Sequence, residues 1–350
     1  MRKRLLSRIA LLAAMILLLL ACAPAVLAEG APKLNTYQKA LSWVKKNHPA
    51  ELDLGSVRFK PRELKNIRDN MAEGGVLHFS TAWCGTTITD LDTRIDLNGS
   101  RNSVTEADVE ALISLCPDLE WIRFSAHRNL SNKIMIPLTE KYPDIRFVWL
   151  LTLNRTHVLP TDATAYSTFN EPLSDYKLRS ADLELLRYVP DLRALDLGHN
   201  KITTLDWLKY CPDLECLILS DNLVEDLTLI GNLTRLQYLE LFMNYKITDL
   251  SPLANCTDLL DLNLSSNDKV TDLSPLDALP KLERMWGNRM FGLSEEEKAR
   301  FIAAQPNVLT SFTRSHDTAN DWRKHERIKH YLWCFKNKTW VPFDQPLPKR

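Results

Sequence analysis

The phrase ITDLSPLANC runs from Ile247 to Cys256, and VTDLSPLDAL follows from Val270 to Leu279, 23 positions later. Self-similarity at a period of 20–50 residues constrains a chain more than any single motif. Each copy is one coil that cannot bury its apolar face alone, so the copies must stack. Laid under one another, the copies give a register. Leu192, Leu195, Leu197, Asn200 and Ile202 recur as Leu214, Leu217, Leu219, Asn222 and Val224. They recur again as Leu236, Leu239, Leu241, Asn244 and Ile247, then as Leu259, Leu262, Leu264, Asn267 and Val270. The L-x-L pair predicts a short strand with alternating faces, and stacking predicts a parallel sheet with the leucines inside. The asparagine amide, with two donors and an acceptor, is suited to satisfy turn backbone that no ladder reaches. Ser251 and Ser274 are expected to N-cap short helices that begin at Pro252 and Pro275.

Weaker copies extend the array toward the N-terminus. Leu119, Ile122 and Phe124 keep the pattern, as do Ile145, Val148 and Leu150, while Asp162, Ala165, Ser167 and Asn170 keep only its spacing. Longer periods here leave room for helices over 106–115 and 181–188, capped by Thr105 and Ser180. Residues 78–118 and 146–191 share a layout, predicting a hairpin that feeds an irregular repeat in each. The expected organisation is a segment 1–28 removed on export, an N-terminal cap over 29–75, irregular repeats over 76–191, regular repeats over 192–281 and a C-terminal cap over 282–350. The cap should open with a helix at the Ser294/Glu297 capping box. A second helix there should present Ile328, Tyr331, Leu332 and Phe335 as its apolar face.

This spacing resembles the leucine-rich repeat, and ITDLSPLANCTDL resembles the internalin-type repeats of bacterial surface proteins. The resemblance is close over 192–281, about a quarter of the chain. It implies an α/β solenoid, a right-handed curved coil with a parallel concave sheet and short convex helices. It further implies a protein partner held on the concave face.

The first residues address the chain outward. Arg2, Lys3, Arg4 and Arg8 precede an apolar run from Ile9 to Ala21, as in a secretory signal and too short for an ordinary membrane span. Val26-Leu27-Ala28 before Glu29 fits signal-peptidase cleavage, and Leu19-Leu20-Ala21-Cys22 fits a lipobox that would anchor the chain through Cys22. Either route predicts a secreted or cell-surface protein, membrane-attached only if Cys22 is lipidated. WVPFDQPLPKR, at the end of the sequence, has no cell-wall sorting signal. The formal charge is zero, so no nucleic-acid footprint is expected.

The chemistry-bearing residues point away from catalysis. Cys116, Cys211 and Cys256 share a core column and are expected as buried thiols, leaving Cys84, Cys216 and Cys334 open to pairing. Asp196 and Glu240, two coils apart in one column, are the carboxylates a hydrolase would use, at roughly 10 Å from the strand spacing. His325, His330 and Cys334 lack a fourth metal ligand, so neither metal nor cofactor is expected. The positions between the leucines face away from the core: Trp121, Arg123, Phe147, Trp149, Tyr166, Asp196, Ile218, Tyr238, Glu240, Phe242, Asn263, Arg284 and Trp286. So aromatic a strip predicts a binding face. The alternative is that the chain's own flanks fold onto it. A protein or peptide with apolar anchors and basic character is the expected ligand of a monomeric, non-enzymatic module, with a glycan as the alternative.

Overall fold

The computed structural model describes residues 33–97, 104–124, 129–169, 177–315 and 322–349. The segment 1–28 expected to be removed on export, with Cys22, and Asn170 of the weakest repeat lie outside them. Helix α1 (Tyr37–Asn47), strand β1 (Glu51–Val57) and helix α2 (Pro61–Arg68) lead into β2 (Val76–Trp83) and β3 (Thr86–Thr89). Strands β1 and β2 pair in parallel, and β2 and β3 form an antiparallel hairpin.

Three short strands then stack in parallel: β4 (Arg94–Asp96), β5 (Trp121–Arg123) and β6 (Arg146–Val148). Helix α3 (Glu106–Leu115) connects the first two and α4 (Asn132–Lys141) the last two. Thr105 caps α3 in a reciprocal box with Asp108. A second antiparallel hairpin, β7 (Leu150–Thr152) and β8 (Val158–Pro160), interrupts the stack. Beyond it a seven-stranded parallel sheet runs through β9 (Ala165–Ser167), β10 (Ala194–Asp196), β11 (Cys216–Ile218), β12 (Tyr238–Glu240), β13 (Asp261–Asn263), β14 (Arg284–Trp286) and β15 (Leu309–Ser311). Helix α5 (Glu295–Ala304), N-capped by Ser294, lies between β14 and β15, and α6 (Glu326–Asn337) follows the last strand.

The fold is a leucine-rich repeat solenoid. Leu195, Leu217, Leu239, Leu262 and Met285 stand opposite one another across the sheet, all fully buried. The asparagine ladder works as its chemistry demands. Nδ2 of Asn222 donates to the carbonyls of Leu197 and Leu219, while its Oδ1 accepts from Ile202 N at 2.9 Å. Asn244 repeats the pattern one coil on. Just before each asparagine the chain turns through a left-handed residue: His199, Asp221, Met243 and Ser266 all have φ near +60°. Such backbone costs about 1 kcal/mol per residue. The amide of each donates across to the next coil, as His199 N does to Ser220 O at 2.8 Å.

On the opposite side the coils close with 3₁₀ segments, including Ser180–Tyr188, Asp206–Tyr210 and Ser251–Asn255. The expected α-helix at 181–188 is therefore a 3₁₀ helix. Ser251 and Ser274 do not cap their helices. Asp249 and Asp272, two residues earlier, accept from their amides at 2.8 Å, so the aspartate of DLSP closes the turn.

Candidate binding face

The seven-stranded sheet has a face turned away from the leucines, and its first column reads Ala165, Ala194, Cys216, Tyr238, Asp261 and Arg284. Helix α6 lies across this face. Arg327 meets Asp261 on β13, and Tyr331 packs edge-on against Tyr238 on β12 with centroids 5.0 Å apart. Cys334 shares an apolar cluster with Cys216 on β11, and Lys338 O accepts from Thr164 N, just before β9. One helical turn therefore passes about one strand, because the 5.4 Å pitch nearly matches the 4.8 Å strand spacing. The small side chains of Ala165, Ala194 and Cys216 give the helix room to descend.

The result is a second apolar core. Tyr238, Trp286, Trp322, Ile328, Tyr331, Phe335 and Trp340 pack together with the small residues, separate from the leucine core. Residues 322–343 thus form a strap over the sheet. Its apolar face is Ile328, Tyr331, Cys334 and Phe335; Leu332, expected on that face, points to solvent.

Polar anchors fix the strap. Glu240, 1% exposed, accepts from Trp322 Nε1 at 2.9 Å, from Ser220 Oγ at 3.2 Å and from the Tyr238 hydroxyl. Glu215 accepts from Trp340 Nε1 at 2.8 Å. Asp261, fully buried, takes Arg284 Nε on one oxygen and Arg327 Nη1 on the other at 2.8 Å. The Arg284 guanidinium stacks over Trp322, 4.3 Å from the ring centre. Burial pushes the Asp196 carboxyl above its ordinary range, opposed by donors from Gly198 N and Ser167 Oγ.

The thirteen expected face residues divide accordingly. Asp196, Ile218, Tyr238, Glu240, Asn263, Arg284 and Trp286 occupy the predicted face, yet all are at most 9% exposed beneath the strap. Phe242 lies just beyond β12 and is half-buried. Phe147, Trp149 and Tyr166 are corrections. Phe147 pairs with Ile122 and Tyr166 with Leu195, in the leucine column, while Trp149 follows β6 into the same core. The repeats around Phe147 and Tyr166 are offset by one residue from the expected register, which in a strand exchanges the faces, while the copy at Leu119, Ile122 and Phe124 keeps it.

Trp121 and Arg123 stay accessible, on the three-stranded sheet. Arg94 lies 4.4 Å and Arg123 5.5 Å from the Trp121 ring centre, and Arg123 pairs with Asp162. Sequence reasoning missed Glu215, Asp261, Trp322, Arg327 and Trp340. The run of small residues at 165, 194 and 216 was the available signal, a trough prepared for an occupant.

The described cysteines and the two histidines of the strap are held within the fold. All six described cysteines are buried and free. Burial pushes the Cys116, Cys211 and Cys256 thiols up to about 12, well away from the thiolate form. His330 Nε2 faces Val341 O at 2.8 Å, and His325 Nδ1 accepts from Arg327 N at the start of α6.

Comparison with known proteins finds the same repeat in the regular coils. A family model described as leucine-rich repeats, in two copies, matches residues 190–232 and 234–278. Internalin C2 of Listeria monocytogenes is similar at 24% identity over 45% of this chain and 76% of its own, with a TM-score of 0.32. A second Listeria monocytogenes internalin has 18% identity over 81% of this chain and 72% of its own, with a TM-score of 0.34. A leucine-rich repeat protein of Leptospira interrogans has 20% identity over 75% of this chain and 66% of its own, with a TM-score of 0.39. No curated protein sequence matches significantly.

Proposed function

We propose that the chain is a non-enzymatic binding module for a protein partner, working outside the cytoplasm. The observation that carries this reading is the Trp121 ledge. There the sheet face is left open by the strap, and an aromatic side chain stands half-exposed between Arg94 and Arg123. Aromatic and arginine side chains are the usual anchors of protein interfaces. The carboxylates that a hydrolase would need are engaged within the fold: Glu240 accepts from Trp322 of the strap and from Tyr238 on β12, and Asp196 accepts from Ser167 and Gly198. Export is supported by the basic and apolar start of the sequence, and no helix among the described residues is long and apolar enough to cross a membrane.

The test is native cross-linking of partners from the surface and medium of the producing cells. Trp121→Ala with Arg123→Glu is expected to weaken capture of a protein partner about tenfold or more, the loss of one aromatic-arginine anchor. Undiminished capture by that variant would remove the ledge from the interface. Retention of glycans alone would replace the protein partner with a carbohydrate.

A further inference from the structure

The turns that follow the strands carry a second surface, distinct from the face beneath the strap. In the register of the repeats, the residue after each ladder asparagine is Lys201, Leu223, Tyr245 and Asp268. Phe291 holds the same place on the next coil, where Met290 stands in the asparagine position. Leu223 is 46% exposed, Tyr245 47% and Phe291 59%. Three large apolar side chains thus stand in one row, Leu223 and Tyr245 on adjacent coils and Phe291 two coils further on, past Asp268. Phe242 and Met243, both half-buried, lie beside Tyr245 on the same turn.

Lysines run along this row. Lys201, Lys246 and Lys269 are exposed, and none forms an ion pair among the described residues. Two of the nearby carboxylates have partners within the fold: Asp221 meets His199 at 2.8 Å, and Asp268 accepts from Phe291 N at 3.3 Å. Arg289 lies over the Phe291 ring at 5.6 Å and adds a further cation.

We propose that this rim is a docking surface for an acidic amphipathic helix of a partner protein. Its apolar side chains would rest on Leu223, Tyr245 and Phe291, and its carboxylates would face Lys201, Lys246 and Lys269. The spacing suits a helix. Leu223 and Tyr245 are one coil apart, about 4.8 Å, close to the rise across one helical turn. Tyr245 and Phe291 are two coils apart, about 10 Å, the rise of two turns. An extended segment advances about 3.3 Å per residue and falls out of step with this row. The chain's own α6 shows such matching on the sheet, where it passes about one strand per turn.

A synthetic amphipathic helix with leucine on one face and glutamate on the other is the probe, against a counterpart with lysine for glutamate. The full chain is expected to bind the glutamate peptide about tenfold more tightly, with an affinity that falls as salt rises. Leu223→Ser, Tyr245→Ser and Phe291→Ser together should weaken binding about tenfold, and circular dichroism checks that this exposed triple variant folds. Lys201→Glu, Lys246→Glu and Lys269→Glu together should reverse the preference between the peptides. Equal affinity for both peptides, or indifference to the serine variant, overturns the proposal. So does binding to vesicles of phosphatidylcholine and phosphatidylglycerol that exceeds binding to the peptide. The probe reads the rim alone, whereas partner capture with the Trp121/Arg123 variant reads the ledge, so either can fail without the other.

Discussion

Asp261→Ala is expected to destabilise the protein by about 3–5 kcal/mol, the cost of leaving a buried charge without its partner. Asp261 is fully buried and receives two guanidinium groups, one from the sheet and one from the strap. Without it Arg284, only 4% exposed, keeps its charge in an apolar cluster, and Nη2 already lacks a hydrogen-bond acceptor among the described residues. Arg327 is less affected, since it also pairs with Glu283 near the surface. Changing Asp261→Ala and Arg284→Met together should restore most of the loss, because apolar groups then replace the pair. Urea unfolding measures both. A loss below about 1 kcal/mol in the single variant would mean that Arg284 reaches water, and hence that the strap is not seated.

Leu239→Ala should cost about 2–5 kcal/mol, through lost burial and the cavity left at the middle of the stack. Leu239 lies between Leu217 and Leu262 in the sheet register and has no exposed surface. Its coil cannot collapse to fill the gap, because the asparagine ladder ties the turns on either side. The same change at Leu332, which points to solvent from α6, should stay within about 0.5 kcal/mol. Equal effects at the two sites would contradict the assigned register.

The repeats could be read from sequence because each coil repeats one answer to one problem. A leucine lost from a column leaves the column visible in its neighbours, and the asparagine marks the turn even where the strand is short. The irregular half lacked that redundancy. Around Phe147 and Tyr166 the apolar residues fit two registers a single residue apart, and only pairing with Ile122 and Leu195 selects between them. The strap was harder still. Its helix could be anticipated from Ile328, Tyr331 and Phe335, but where it would dock depends on contacts far apart in sequence. Trp322 reaches Glu240 across 82 positions and Trp340 reaches Glu215 across 125. Yet the ligand chemistry expected for the strip, apolar anchors with basic character, is met by the chain itself. Residues 322–349 hold seven Lys and Arg against two acidic residues, with six aromatic residues of the Trp, Tyr and Phe types.

Cys216 gives the most direct test of the strap. It lies on the sheet face turned away from the leucines and has no exposed surface, because the strap covers that face. Cys211 and Cys256, inside the leucine core, serve as internal references. The native chain is treated with a maleimide and each cysteine is followed by peptide mapping. Cys216 is predicted to react roughly a hundredfold more slowly than a free thiol, as about 3 kcal/mol of local opening would impose. If Cys216 and Cys334 instead react at the free-thiol rate while Cys211 and Cys256 stay protected, the sheet face is open in solution and the strap does not cover it.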